Sequence, residues 1–223
     1  MLTIPNTETE KILGKLENLP YFTFEGLATI AGKPHDQCKV MVNRWKKRGY
    51  LKRIKRGIYT TREYYKRHMG NLYYMSSIAS IIDPLSYVSL EYILQKNNIL
   101  TEAVYSVTSV TPRTTRKTKN DFGRFYYRSI KPELFGGFTT IDYEGINVNE
   151  ATAEKALFDY MYFRTLSNMA KKPDFNVAED LRLNLDDFSK DQVKAFNKWC
   201  NISNVRKMML IKKNFEEYVW KNH

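Results

Sequence analysis

Between Phe22 and Tyr59 the chain reads FTFEGLATIAGKPHDQCKVMVNRWKKRGYLKRIKRGIY, and this stretch decides the fold. Thr23 is placed to cap a helix running to about Ala31, because a threonine hydroxyl can accept from the first free backbone amides. Leu27, Ile30 and Ala31 then share its inward face. Gly32 supplies a turn, and Pro34 fits the first turn of a following helix, where a missing N–H costs nothing. That helix, to about Arg48, sets Cys38, Met41, Val42 and Trp45 at i, i+3, i+4 and i+7, one core-facing stripe. Its other face carries Asp36, Lys39, Val40, Asn43 and Lys47, with Gln37 and Arg44 at the margins. Gly49 ends the helix as a left-handed cap. Tyr50–Ile54 and Ile58–Thr60 alternate as strands around the turn Lys55-Arg56-Gly57. Helix, turn, helix and basic hairpin in this order are the layout of a winged helix-turn-helix, which points to duplex DNA.

Charge agrees with that partner. The 223 residues carry a formal net charge of +12, a balance that favours an anionic partner, nucleic acid or an anionic membrane. Residues 1–68 hold 15 Lys+Arg and 6 Asp+Glu, whereas residues 69–223 hold 21 and 18. From Lys39 to Arg67 there are 12 basic residues and one acid, Glu63. The basic excess therefore sits on the part read as a DNA module. A protein-docking surface is usually depleted in lysine, so the same charge argues against a docking role for it.

Hydrophobic residues make up 43% of the chain, which is enough for a real core and excludes a disordered chain. Upstream of Phe22, Thr7 or Thr9 can cap a helix through about Leu19, with Pro20 beyond its end. Downstream, Arg62–Gly70 reads as a linking helix, Leu72–Ile82 as an apolar helix, and Ser86–Gln95 as another. Strands are expected at Val104–Val110, Arg124–Ile130, Gly137–Tyr143 and Ile146–Val148, with a hairpin turn at Tyr143-Glu144-Gly145-Ile146. The segment Thr111–Asp121 reads as a polar, mobile loop. Thr152 can cap a helix to about Arg164, Lys171-Lys172-Pro173 breaks the chain, and helices Val177–Leu183, Lys190–Cys200 and Val205–Trp220 follow. The expected class is α+β: residues 1–68 form a winged helix-turn-helix domain. Residues 69–223 form a mixed domain with a small, mainly antiparallel sheet and a helical C-terminus.

On the DNA reading, a major groove about 12 Å wide admits one helix, and the N-terminal half of that helix meets base edges. His35, Gln37, Lys39, Asn43 and Arg44 are then the base-reading candidates, since Gln and Asn pair bidentately with adenine and Arg with guanine. Lys46, Lys47, Lys52, Arg53, Lys55 and Arg56 are placed for backbone phosphates or, on the wing, the minor groove. Arg113, Arg116, Lys117 and Lys119 offer either a second DNA contact or a solvated hairpin tip.

No catalytic pattern competes with this. Three dispersed histidines, His35, His68 and His223, make neither a zinc site nor a nucleophilic triad. Cys38 and Cys200 make no disulfide framework, and Cys38 falls on an apolar helix face as a small core residue. No phosphate-binding loop is present. Glu133, Asp142, Glu144, Glu154 and Asp159 could supply the carboxylates of a metal-dependent nuclease, but they read as surface carboxylates or helix-start charges. Neither a signal peptide nor a membrane span is legible, so no enzyme, metal, cofactor or membrane association is expected, and the cytoplasm is the expected setting. The alternatives are a transcription factor with a ligand-sensing or dimerisation domain and a DNA-processing enzyme.

The chain resembles the AbiEi family, the antitoxins of type IV toxin–antitoxin (abortive infection) systems used in phage defence. The likeness lies in Phe22 to Ala28, in Arg44-Trp45-Lys46-Lys47-Arg48-Gly49-Tyr50-Leu51, and in the Lys55-Arg56-Gly57-Ile58-Tyr59 wing. It continues through Val104–Val107, Thr111-Pro112-Arg113, Phe122–Phe125 and Tyr127–Ile130. Its most specific part is Ile146-Asn147-Val148-Asn149-Glu150-Ala151-Thr152-Ala153-Glu154-Lys155-Ala156-Leu157-Phe158-Asp159, a strand followed by Glu-Lys-Ala-Leu-x-Asp opening a helix. Ala153 stands where the family carries proline, and alanine also suits a first helical turn. The matches span about residues 20–165. The resemblance implies a transcriptional autorepressor that binds repeats upstream of its own operon. It also implies an antitoxin domain that counteracts a nucleotidyltransferase toxin without forming a stable complex with it.

Overall fold

The computed structural model of the protein describes residues 7–165 and 175–221. Its first unit comprises α1 (Thr7–Leu16), β1 (Phe22–Thr23), α2 (Phe24–Ala31), α3 (His35–Lys47), β2 (Leu51–Lys55) and β3 (Ile58–Thr61). The three strands pair antiparallel in the order β1-β3-β2. Thr23 caps α2 as its chemistry predicts, its Oγ1 accepting from the Gly26 amide at 3.1 Å. Gly32 then takes φ +61° at the turn. Pro34 stands just outside α3 as its N-cap rather than within its first turn. Gly49, at φ +73°, closes α3: its amide donates to the Lys46 carbonyl at 3.0 Å and the Tyr50 amide to Trp45 at 2.9 Å. These are the two bonds of a Schellman ending. The first helix stops at Leu16 rather than Leu19: a turn takes Glu17 and Asn18, and proline at 20 disfavours helical backbone at Leu19.

The second unit begins with α4 (Arg62–His68) and α5 (Leu72–Ile82), then β4 (Tyr87–Val88), α6 (Glu91–Lys96), β5 (Ser106–Thr111), β6 (Arg116–Asn120) and β7 (Gly123–Ser129). A 3-10 turn at Pro132–Leu134 leads to β8 (Phe138–Tyr143), β9 (Ile146–Ala151), α7 (Ala153–Phe163), α8 (Val177–Asp180), α9 (Lys190–Ser203) and α10 (Arg206–Tyr218). Six strands form one mixed sheet in the order β6-β7-β5-β4-β9-β8. Pairs β4/β5, β6/β7 and β8/β9 are antiparallel, and β5/β7 and β4/β9 are parallel. The protein is thus α+β, with a small antiparallel sheet, a larger mixed one and helices at the C-terminal end.

Two expectations are corrected. The stretch read as one helix over Ser86–Gln95 is a strand, a bend and a shorter helix. Tyr87 and Val88 are wholly buried in the middle of the sheet, and Leu90 takes φ +60°, which no helix tolerates. The loop expected over Thr111–Asp121 contains β6, paired along its length to β7 from Arg116↔Tyr127 to Asn120↔Gly123. The break expected at Lys171-Lys172-Pro173 lies outside the described residues.

Two hydrophobic cores result. The first joins Ile12, Leu16, Leu27, Val42 and Trp45 to Leu51 and Tyr59. The second holds the six-stranded sheet and its helices, and it also takes Ile54 from the hairpin and Tyr64 from α4. The boundary expected after residue 68 is therefore crossed by packing. Tyr64 donates a hydrogen bond to the Glu144 carboxylate, His68 Nδ1 lies 2.7 Å from the Tyr143 hydroxyl, and Arg67 reaches back to the Glu17 carbonyl. Among the described residues, no helix is long and apolar enough to cross a membrane.

Candidate nucleic-acid interface

Helix α3 is held by one face and offers the other. Cys38, Met41, Val42 and Trp45 are buried, and a side chain such as Met41 or Val42 contributes about 1.5–3 kcal/mol if fully removed from water. On the opposite face Val40, Asn43, Arg44, Lys47 and Arg48 line a shallow groove of about 430 Å³. Asn43, Arg44 and Lys47 are thus brought together as expected. Val40, 65% exposed, and Arg48 join them. The outward position of Val40 was legible in the helical period, but an apolar residue there carries no charge signal. Its methyl groups suit the kind of apolar contact that the thymine methyl offers in the major groove.

The other expected base readers stand apart from the groove. His35 and Gln37 are exposed at the start of α3, and the His35 ring lies 5.4 Å from that of Phe24. Lys39 forms an exposed ion pair with Asp36 at 3.1 Å, an interaction of small energy that salt and solvent easily loosen. Lys46 is half-buried beside, not within, the groove.

The hairpin is tied to the second unit along its outer strand. The Arg53 amide donates to Asp121 Oδ2 at 2.8 Å, and Asn120 Nδ2 donates to the Ile54 carbonyl at 2.9 Å. The β6–β7 turn thereby covers an edge strand that would otherwise offer bare amides and carbonyls. Lys52 is drawn into this junction: its Nζ donates to the Asp121 carbonyl at 3.2 Å and sits 4.3 Å from the centre of the Tyr65 ring. Lys55 is half-buried. Burial lowers its pKa, Asp83 opposes that fall, and the nearby Arg113 adds to it. The Arg53 and Arg56 side chains remain exposed.

The four basic residues proposed as a second contact divide into two pairs. Arg113 and Arg116 both reach Asp83, whose side chain is wholly buried. Burial pushes the Asp83 carboxyl up, but hydrogen bonds from Arg116 and Thr111 outweigh it, leaving the group below the ordinary aspartate range. Lys117 and Lys119 are exposed on the other face of β6, with Lys117 Nζ 5.5 Å from the Tyr126 ring centre.

That face of the sheet opens into a cleft of about 690 Å³ between β5–β7 and the end of α7. Arg124, Tyr126 and Arg128 alternate along β7 into it, and Phe163, Arg164 and Tyr105 also line it, with the Arg128 guanidinium 5.9 Å from the Phe163 ring centre. The sequence signal for this face is the alternation in Gly123–Ser129 (GRFYYRS), where period 2 places the Arg124, Tyr126 and Arg128 side chains on one side, although no charge run or motif marks it.

The Glu-Lys-Ala-Leu-x-Asp phrase proves to be a buried network. Lys155 and Asp159 are wholly buried and form an ion pair. Lys155 Nζ also donates to the Tyr87 hydroxyl at 2.9 Å, and Asp159 Oδ2 accepts from Tyr87 at 3.0 Å and Ser89 at 2.7 Å. Burial pushes the lysine down and the aspartate up, and their mutual attraction opposes both shifts. The surface reading of Asp159 is thus corrected. Glu144 is likewise engaged, with Tyr64. Glu133 lies in the 3-10 turn and Asp142 in β8, and no three His, Cys, Asp or Glu residues gather at metal-binding distance among the described residues. No protein-family model matches the chain, and no curated protein matches it.

Proposed function

We propose that the first unit is a winged helix-turn-helix that binds duplex DNA, and that the protein is the autorepressing antitoxin of a type IV toxin–antitoxin system in the cytoplasm. The observation that carries the DNA half is the exposed groove of α3, where an amide, two guanidinium groups, an ammonium and an isopropyl group converge on a surface one helix wide. The antitoxin half is supported by the family phrase Ile146–Asp159. A winged-helix regulator whose second unit holds a ligand is the alternative, and the cleft beside β7 is what favours it, since such sites are concave and carry a few converging polar groups.

Fluorescence anisotropy with a duplex from upstream of the gene and with a random duplex tests the first half. Tighter binding to the upstream duplex is expected, with log affinity falling by about 0.9 per neutralised phosphate against log salt. Equal binding to both, or binding indifferent to salt, rejects it. Co-expression with a nucleotidyltransferase encoded directly downstream tests the second. Growth should be restored while the two proteins fail to co-purify; absence of such a neighbour, or of rescue, rejects the antitoxin half.

A further inference from the structure

We propose that the cleft between β5–β7 and the end of α7 binds a phosphorylated nucleoside, either a free nucleotide or one unit of a single strand. The inference rests on the cleft and supplies a ligand class for the second of the two readings above; DNA binding by α3 is assayed separately.

Four features point to that chemistry. Arg124 and Arg128 project from one face of β7, two residues away on either side of Tyr126, and Lys117 lies across from Tyr126 in the ladder. None of these three cations has an ion-pair partner among the described residues, whereas Arg116 on the same strand as Lys117 is committed to Asp83. Unpaired guanidinium groups in a concave space suit phosphate, which they bind through parallel hydrogen bonds. Tyr105 is 92% exposed where it lines the cleft, and a bare aromatic face beside basic side chains is the platform on which a base stacks. Glu91 and Glu102 also line the cleft and can accept hydrogen bonds from sugar hydroxyls or an exocyclic amine. The volume, about 690 Å³, falls within the range of small-molecule sites, about 300–1,000 Å³. A solvated basic face would need neither the concavity nor the exposed ring.

The test uses the full chain, with ATP, an eight-nucleotide single-stranded RNA and inorganic tripolyphosphate as probes in isothermal titration. Arg124→Ala/Arg128→Ala should weaken ATP or RNA binding by about tenfold or more. Tyr105→Ala should weaken the same probe by about tenfold while leaving tripolyphosphate unchanged. Asn43→Ala/Arg44→Ala should leave all three unchanged, which separates this site from the α3 groove. The altered side chains are solvent-facing, and circular dichroism checks that the variants fold; Arg124→Glu provides a second charge variant. Binding of ATP without RNA assigns a free nucleotide, and tighter RNA binding assigns a single strand. Failure of ATP and RNA to bind, equal behaviour of ATP and tripolyphosphate in Tyr105→Ala, or binding unaffected by the arginine variants overturns the proposal.

Discussion

Asp83 ties three segments at the scale of single side chains. Its carboxylate accepts from Thr111 Oγ1 at 2.9 Å, from the Leu85 amide at 3.3 Å and from Arg116, holding β6 against the end of α5. Because its folded pKa is depressed, its stabilisation is fully present above the unfolded aspartate value, about 3.9. It is lost as pH falls through the lower folded value. Asp83→Asn should therefore cost about 1–3 kcal/mol at neutral pH, with the gap to the parent closing below about pH 4 in urea titrations. A gap that stays constant down to about pH 2 would show that the carboxylate's charge is not what holds these segments. Lys155 and Asp159 follow a different logic. Neither meets water, so each is tolerable only because the other is present, and removing one would strand a buried charge. Gly137 completes that site: at φ +71° a Cβ would lie 2.8 Å from both Lys155 Cγ and Trp199 Cζ2, so only glycine lets the backbone approach.

At the scale of elements, helical period separates a buried side of α3 from a water-facing one, which the proposed reading assigns to DNA. Because its inward stripe is fixed by Trp45 and Cys38, substitutions on the groove side should alter recognition and leave folding intact. Asn43→Ala/Arg44→Ala should weaken binding to the upstream duplex by about 1–3 kcal/mol for each bidentate base pairing removed, and weaken random DNA less. Equal weakening on both duplexes would assign these residues to phosphate. Elements with a clear helical period were legible from the chain: α5 runs over Leu72–Ile82 as expected, and the structure adds the cap, Asn71 Oδ1 accepting from the Tyr73 and Tyr74 amides. Strand β4 was not, since a short apolar run bears no period that distinguishes strand from helix. Strand β6 was hidden for the opposite reason. Its alternation is of polar with polar, RKTKN, and its pairing is set by β7 rather than by burial of its own side chains.

Across the whole molecule, the hairpin is shared property. Ile54 is buried in the core of the second unit while Leu51 and Tyr59 beside it belong to the first. The orientation of the α3 groove is thereby coupled to the six-stranded sheet. Ile54→Ala should lower unfolding free energy by about 2–5 kcal/mol, and hydrogen exchange should rise in the β6–β7 turn as well as in the hairpin. Faster exchange confined to the hairpin would mean that the two units fold independently.

By itself the sequence determined the order of helices and hairpin around α3, which side chains of that helix face water, and the concentration of basic charge there. Those features are local: caps, glycine turns and helical period act within a few residues. Only the tertiary structure decided that Lys52 and Arg116 have protein partners, that Lys155 and Asp159 are buried together, and that Arg124, Tyr126 and Arg128 face a cleft. Each of these depends on strands and helices far apart in the chain meeting in one sheet, and desolvation and pairing arise only where they meet.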